Sequence, residues 1–119
     1  MRYMLLLHAA GRPAEGTPEY VEMVAAYGAA NEAMAAAGVL VDCAPLSWAD
    51  TATTVRVRDG QTLLTDGPAA EIKEQLGGYT IVECADLDEA LKWAAAIPAA
   101  LDASVEVRRV LSPTDAPTE

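Results

Sequence analysis

The chain has 119 residues and a mass of 12.5 kDa, and 8 basic against 18 acidic side chains leave a formal charge of −10 at pH 7. An apolar content of 52% suffices for one hydrophobic core and excludes a chain that is disordered throughout. The acidic balance argues against direct nucleic-acid binding, and no apolar stretch approaches the roughly 20 residues of a membrane span, so we expect a soluble, cytoplasmic protein.

The first two predicted elements are a strand and a long helix. Residues 2–8 form a short apolar run typical of a strand, and its period of two places His8 on the face opposite the odd-numbered residues. A helix is predicted from Pro18, which Thr17 can cap, to a stop at Gly38. The apolar stripe along this helix comprises Tyr20, Val24, Tyr27, Asn31 and Met34.

The middle of the chain predicts a β-hairpin. After a separate short strand at 39–41, the alternating segments 53–58 and 61–65 form the two strands of the hairpin. Asp59 and Gly60 supply the tight turn between the last two. We expect Val55 and Val57 to face inward.

The remaining elements complete one domain over residues 1–111, with residues 112–119 as a flexible tail. Their predicted order is a short helix over 69–76, a strand over 79–84, a helix over 87–97 and a strand over 104–111. Asp86 opens the second of these helices as a capping box, and Pro98 closes it. Its predicted core stripe is Leu87, Leu91 and Ala94.

This order predicts an α+β fold. With the hairpin set aside, the elements run β-α-β-β-α-β, which is the ferredoxin-like arrangement with both helices on one face of the sheet. The other face is left apolar and uncovered. We therefore expect a homodimer, packed sheet to sheet.

His8 and Asp66 are the candidate catalytic residues. His8 is the only histidine and ends the first strand, so it is either a general base or a hydrogen-bonded residue at a strand end. Asp66 is either a catalytic carboxylate or a turn residue whose side chain accepts backbone N–H groups. The glycines and proline nearby, Gly67, Pro68, Gly77 and Gly78, are interpreted as backbone geometry.

Five further residues are candidate ligand contacts. Tyr27 and Asn31 share a helix face, where they bind a ligand, satisfy each other or meet a dimer partner. Glu71 and Lys73 either line a polar cleft or belong to an exposed charged face. Tyr79 either covers the cleft or packs with a wet hydroxyl.

The cysteines and the motif inventory give no sign of a cofactor. Cys43 and Cys84 lie far apart without a CxxC pair or clustered histidines, so we interpret them as reduced core residues. No phosphate-binding glycine loop or metal cluster is visible, and we expect neither cofactor nor metal.

The sequence resembles the DGPF branch of the YCII-related proteins over residues 1 to about 111. The segments that carry the resemblance are 2–7, 53–60, the signature run 65–79, then 86–94 and 104–108. The resemblance implies a dimeric α+β barrel with a ferredoxin-like protomer. It also implies either small-molecule chemistry, such as that of lyases acting on chlorinated hydroxyquinones, or an accessory role beside an extracytoplasmic-function sigma factor.

The resemblance also locates the family's catalytic pair. The family histidine falls at Tyr27 and its carboxylate partner at Ile97, so this chain lacks both. The signature phenylalanine is Ala69. Any proton transfer is therefore expected to use other residues, with His8 and Asp66 as the candidates.

Overall fold

The computed structural model describes residues 1–70 and 72–113, so Glu71 and most of the predicted tail lie outside the described residues. The strands are β1 Arg2–Ala9, β2 Leu40–Pro45, β3 Thr53–Arg58, β4 Gln61–Asp66, β5 Gln75–Glu83 and β6 Ser104–Arg109. The helices are α1 Pro18–Ala36, α2 Leu87–Ala95 and α3 Ala99–Asp102, with a single 3-10 turn at Ala49–Thr51. No described helix is long and apolar enough to cross a membrane.

Side-chain caps fix the start of both longer helices. The Thr17 hydroxyl accepts the backbone N–H of Tyr20 at 3.2 Å and opens α1. The Asp86 carboxylate accepts the N–H of Glu89 at 2.9 Å, and Glu89 in turn accepts the N–H of Ala85. These reciprocal bonds satisfy donors that a helix leaves unpaired, and they confirm both predicted starts.

The main sheet has the ferredoxin-like strand order β2-β5-β1-β6, and every neighbouring pair is antiparallel. The remaining strands, β3 and β4, form a separate two-stranded sheet inserted before β5. Asp59 and Gly60 both have positive φ at the hairpin tip, as a type I′ turn requires. The predicted fold class and the inserted hairpin are confirmed.

The core lies between one face of this sheet and the helices. Its buried residues from the strands include Tyr3, Leu5 and Val82, and those from the helical side include Met34, Ala90, Ala94 and Ile97. Small alanines on α2 let the helix approach the sheet closely. This packing uses the face of β1 that carries odd-numbered residues.

The opposite sheet face, which we call the open face, carries the even-numbered residues of β1. Cross-strand pairing places the following side chains on it: Met4, Leu6 and His8 from β1, Tyr79 and Ile81 from β5, and Ser104, Glu106 and Arg108 from β6. No helix of the described residues packs there, and its central residues are half-buried.

The predicted short helix over 69–76 is wrong. Among the described residues of this segment, those before Gln75 form bends, and Gln75 itself begins β5. The Gln75 side-chain amide donates to the carbonyl oxygens of Ala70 and Ile72. Pairing of Leu76 and Gln75 with β1 and of Gly78 with β1 and β2 then extends the segment, so tertiary contacts override the local helical pattern.

Five predicted inward positions are also wrong, whereas Tyr20, Tyr27, Asn31 and Met34 on α1 and Ala94 on α2 are half-buried or buried as predicted. On α1, Val24 is exposed and Met23 is half-buried in its place. On α2, Leu87 and Leu91 are exposed, because Ala90 and Ala94 take the buried side. In the hairpin, Val55 and Val57 are each 59% exposed, since nothing in the described protomer covers them.

Candidate functional site

His8 and Glu106 form the pair of side chains on the open face best suited to chemistry. His8 pairs with Ser104, and Glu106 lies two residues further along β6, so the two side chains are diagonal neighbours on one face. The Nε2 atom of His8 lies 3.4 Å from Oε1 of Glu106. The His8 side chain is only 19% exposed and that of Glu106 is 42% exposed, so solvent reaches the pair mainly from the glutamate side.

Arg108 holds the Glu106 carboxylate from the other side. Its Nε donates to Oε2 of Glu106 at 2.5 Å, which leaves Oε1 directed toward His8. The pKa of Glu106 is lowered, first by this hydrogen bond and the charge of Arg108 and to a lesser degree by His8, against the opposing effect of burial. Glu106 is therefore ionised at neutral pH and orients the imidazole.

An open cleft of about 480 Å³ lies beside this pair. Its lining residues are His8, Ile72, Lys73, Glu74, Ser104, Val105 and Glu106. The Ser104 hydroxyl donates to Oε1 of Glu74 at 2.7 Å and closes one end. The cleft thus combines an imidazole, a cation, two carboxylates and a hydroxyl on an apolar floor.

Lys73 and Tyr79 are predicted contacts that the structure places on this side of the molecule. Lys73 lines the cleft. Tyr79 stands on the open face but points to β2, where its hydroxyl donates to Oδ2 of Asp42 at 3.1 Å. That hydrogen bond, followed by the charge of Asp42, raises the pKa of Tyr79.

Asp66 lies apart from the His8 cleft. It ends β4, is exposed, and its carboxylate makes no hydrogen bond or ion pair with any described residue. The turn that follows is closed by backbone instead, because the Gly67 N–H donates to the Ala52 carbonyl at 2.7 Å. Gly67 has φ +100°, a conformation suited to glycine, and Pro68 then redirects the chain.

Tyr27 and Asn31 lie on the helix side of the sheet, away from His8. Both are half-buried on α1, and Tyr27 packs against the core. Burial is the main cause that raises the pKa of Tyr27, and Asp102 adds to it while Arg12 and the Ala99 backbone oppose it. The structure does not join this pair to the His8 cleft.

Gly77 and Gly78 allow close approach within the sheet. The Arg12 guanidinium donates to the Gly77 carbonyl at 2.6 Å and stacks 5.0 Å from the Trp48 ring centroid. A Cβ on Gly77 would stand 2.9 Å from that guanidinium, and a Cβ on Gly78 would stand 3.0 Å from the Ala44 carbonyl.

Glu106, Arg108 and Ser104 are the site residues that sequence reasoning missed. Their alternation in the last strand indicated a shared face, but the partner strand and register that bring them to His8 are tertiary. No group of three or more potential metal ligands occurs in the part of the chain that the structure describes.

The sequence profile of the YCII-related domain matches residues 1–113. The chain belongs to the YCII-related family. An uncharacterised protein of Rhizobium meliloti (strain 1021) is 48% identical over 58 residues, which make up 49% of this chain and 47% of that protein. The chain thus matches about half the length of this relative.

A solved structure supports the fold of this YCII-related protein. It is the 5-chloro-2-hydroxyhydroquinone dehydrochlorinase of Burkholderia phenoliruptrix AC1100, in complex with 2,5-dihydroxybenzoquinone. The two chains superpose with a TM-score of 0.50 over 93% of this chain and 94% of the dehydrochlorinase, at 19% sequence identity. At that identity the likeness establishes a shared mixed α+β architecture.

Proposed function

We propose that this YCII-related protein binds a small polar metabolite in the cleft beside His8 and transforms it by proton transfer. The observation that carries the proposal is the 3.4 Å approach of the partly buried imidazole to Glu106. Histidine is the side chain best suited to take up and return a proton near neutral pH, and an adjacent carboxylate stabilises the imidazolium that forms.

The surrounding residues have distinct roles in this proposal. Glu106 is a positioning residue, held by Arg108, that fixes the ring orientation of His8. Lys73 supplies a positive charge for an oxygen atom of a substrate, and Ser104, whose proton goes to Glu74, can accept a hydrogen bond from a substrate hydroxyl. Asp66, the other predicted catalytic residue, has no part in the proposed step, because it does not line this cleft.

A hydroxylated ring compound is the substrate class we favour. The cleft has a volume of about 480 Å³ and is largely open to solvent, so it can receive one ring but does not enclose it within this chain. The structural neighbour is a dehydrochlorinase of a chlorinated hydroxyhydroquinone, a ring whose phenolic protons a histidine base can remove. In this chain His8 would accept such a proton, while Lys73 balances the resulting oxyanion.

We further propose that the active species is a homodimer that covers the open face. Met4, Leu6 and Ile81 form an apolar strip on a sheet face that no described helix covers. A second copy is the simplest cover for such a face, and it would exclude water from one side of the His8 cleft.

The single histidine gives a direct test of binding. We expect 2,5-dihydroxybenzoquinone to shift the imidazole Cε1–H resonance of His8 in a saturable NMR titration, and Glu106→Gln to weaken that response. Asp88→Asn, on the remote helix α2, is the matched control and should titrate like the wild type. An unperturbed His8 resonance at millimolar ligand would contradict the proposed binding site.

A turnover assay tests the chemistry. With 5-chloro-2-hydroxyhydroquinone as probe, we expect chloride release that His8→Asn lowers by two orders of magnitude or more, in line with the usual contribution of a general base. Release that persists unchanged in His8→Asn would exclude the proposed role of His8.

A second candidate function, as an accessory to a regulatory protein, is favoured by an acidic cleft at the start of α2. This cleft of about 630 Å³ is lined by Ala85, Asp86, Asp88, Glu89, Lys92, Trp93 and Ala96, and the exposed Leu87 and Leu91 adjoin it. An acidic surface of this kind suits a basic partner, and we propose an extracytoplasmic-function sigma factor.

A binding measurement with purified sigma factor tests this candidate. We expect the sigma factor to bind the wild type and the control variant Asp50→Lys equally, and to bind Asp88→Lys more weakly. Equal binding by all three proteins would contradict this candidate.

A further inference from the structure

The inserted hairpin, which we call the arm (Thr53–Asp66), lies outside the core of its own protomer. All twelve of its strand residues except Thr54 are exposed. The base of the arm is closed by hydrogen bonds between its two ends, where the Gly67 N–H donates to the Ala52 carbonyl and the Thr54 hydroxyl donates to the Gly67 carbonyl.

One face of the arm is apolar and uncovered. Val55 pairs with Leu64, and Val57 lies on the same face two residues further along the strand. These side chains are 59%, 69% and 59% exposed for Val55, Leu64 and Val57 respectively. A two-stranded hairpin in water is at best marginally stable by itself, so this face requires a surface to pack against.

The chain exposes more surface than a compact chain of its mass, and the excess is large enough for an interface with a second copy. A compact chain of 12.5 kDa exposes roughly 6,200 Å² by the usual scaling, whereas this protomer exposes 7937 Å². Its radius of gyration is 16.3 Å, against roughly 13.5 Å for a compact chain of this length. The excess area exceeds the roughly 800 Å² per partner that a stable interface buries.

Charge favours another copy of this chain as the partner. Arg56 and Arg58 balance Asp59 and Asp66, so the arm has no net charge and the rest of the chain carries the whole −10. Neither guanidinium forms an ion pair within residues 1–70 and 72–113. The arm is thus the part of the chain that another acidic copy repels least.

We infer that the arm packs against a second copy of this chain and buries the face formed by Val55, Val57 and Leu64. This contact is additional to the sheet-to-sheet contact proposed above. It makes no use of His8, so a failed activity test leaves it standing.

Two neighbouring leucines provide a matched test. Leu64 lies on the apolar face, and Leu63 lies on the opposite face with Arg56 and Arg58. Threonine keeps the strand preference of either position. By sedimentation velocity on the full chain, we expect the wild type and Leu63→Thr to be dimers at micromolar concentration. We expect Leu64→Thr to raise the dimer dissociation constant tenfold or more, because burial of one leucine accounts for at least that factor.

A measurement on the wild type removes any dependence on how the variants fold. In a mixed sample of ¹³C-labelled and unlabelled chains, an isotope-filtered experiment should show intermolecular NOEs to the Leu64 methyl groups. A monomeric wild type, an unchanged dissociation constant for Leu64→Thr, or Leu64 NOEs confined to the labelled chain would each overturn the inference.

Discussion

At the scale of single residues, burial separates the two thiols of the chain. Cys84 is 4% exposed, and its pKa is raised to about 11, chiefly by burial and secondarily by Glu89. Cys43 lies on β2 and is half-buried. Because the thiolate is the reactive form, the two cysteines should differ in reactivity.

Alkylation followed by mass spectrometry measures this difference. At pH 8 we expect iodoacetamide to modify Cys43 well before Cys84, and the two rates to converge in denaturant, where burial is lost. Faster labelling of Cys84 in the native protein would contradict the burial described for it.

Glu106 should make folding stability depend on pH. The pKa of Glu106 is lower in the folded protein than in an unfolded chain. The stability that Glu106 contributes to the fold is therefore fully present above the ordinary carboxyl pKa, and it is lost as the pH falls through the lowered pKa. We expect the urea midpoint of the wild type to exceed that of Glu106→Gln near pH 7, and the two midpoints to converge as the pH falls below the lowered pKa of Glu106. A gap that widens on acidification would contradict this sign.

The position of Glu106 beside His8 could not be predicted from the sequence. His8 is conspicuous in the sequence as the only histidine, but its neighbour is about one hundred positions away and is set by the register between β1 and β6. Spacing in the sequence contains no information on that register. Asp66 stood out because of its turn motif, and the structure leaves it without a side-chain partner among the described residues.

At the scale of elements, capping is the feature that local sequence predicts best. The Thr17 hydroxyl bonds the first turn of α1, so Thr17→Ala should lower the free energy of unfolding by about 1 kcal/mol, whereas Thr17→Ser should retain most of it. Chemical denaturation of both variants checks this. An equal loss in Thr17→Ser would show that the hydroxyl bond is not the cause.

Helix faces were harder to predict, for a packing reason. The predicted core stripe of α2 was Leu87, Leu91 and Ala94, but of these only Ala94 is buried, together with the neighbouring Ala90. The leucines remain exposed on the protomer. Residue volume at the contact, which the sequence pattern does not contain, decided the orientation.

At the scale of the whole molecule, the order of elements was sufficient to predict the ferredoxin-like sheet. The order of elements does not predict what covers the open face of that sheet, because the cover depends on how chains assemble. Leu6→Glu places a charge at the centre of that face. In sedimentation equilibrium we expect it to shift the mass from about twice 12.5 kDa to that of a monomer. Leu101→Glu, on the exposed helix α3, is the control and should stay dimeric. A Leu6→Glu variant that stays dimeric would place the interface elsewhere.

The bulge in β5 has a consequence for how related sequences are compared. Leu7 pairs with Gly78 and His8 pairs with Leu76, so Gly77 is an extra residue with no partner on β1. The two adjacent glycines are identical letters with unequal roles, and an alignment can place a gap at either without changing its score. A relative with a single glycine here has the same sequence whichever glycine is taken as missing, and we expect it to keep the paired position and lose the bulge, so strand register assigns the gap to Gly77.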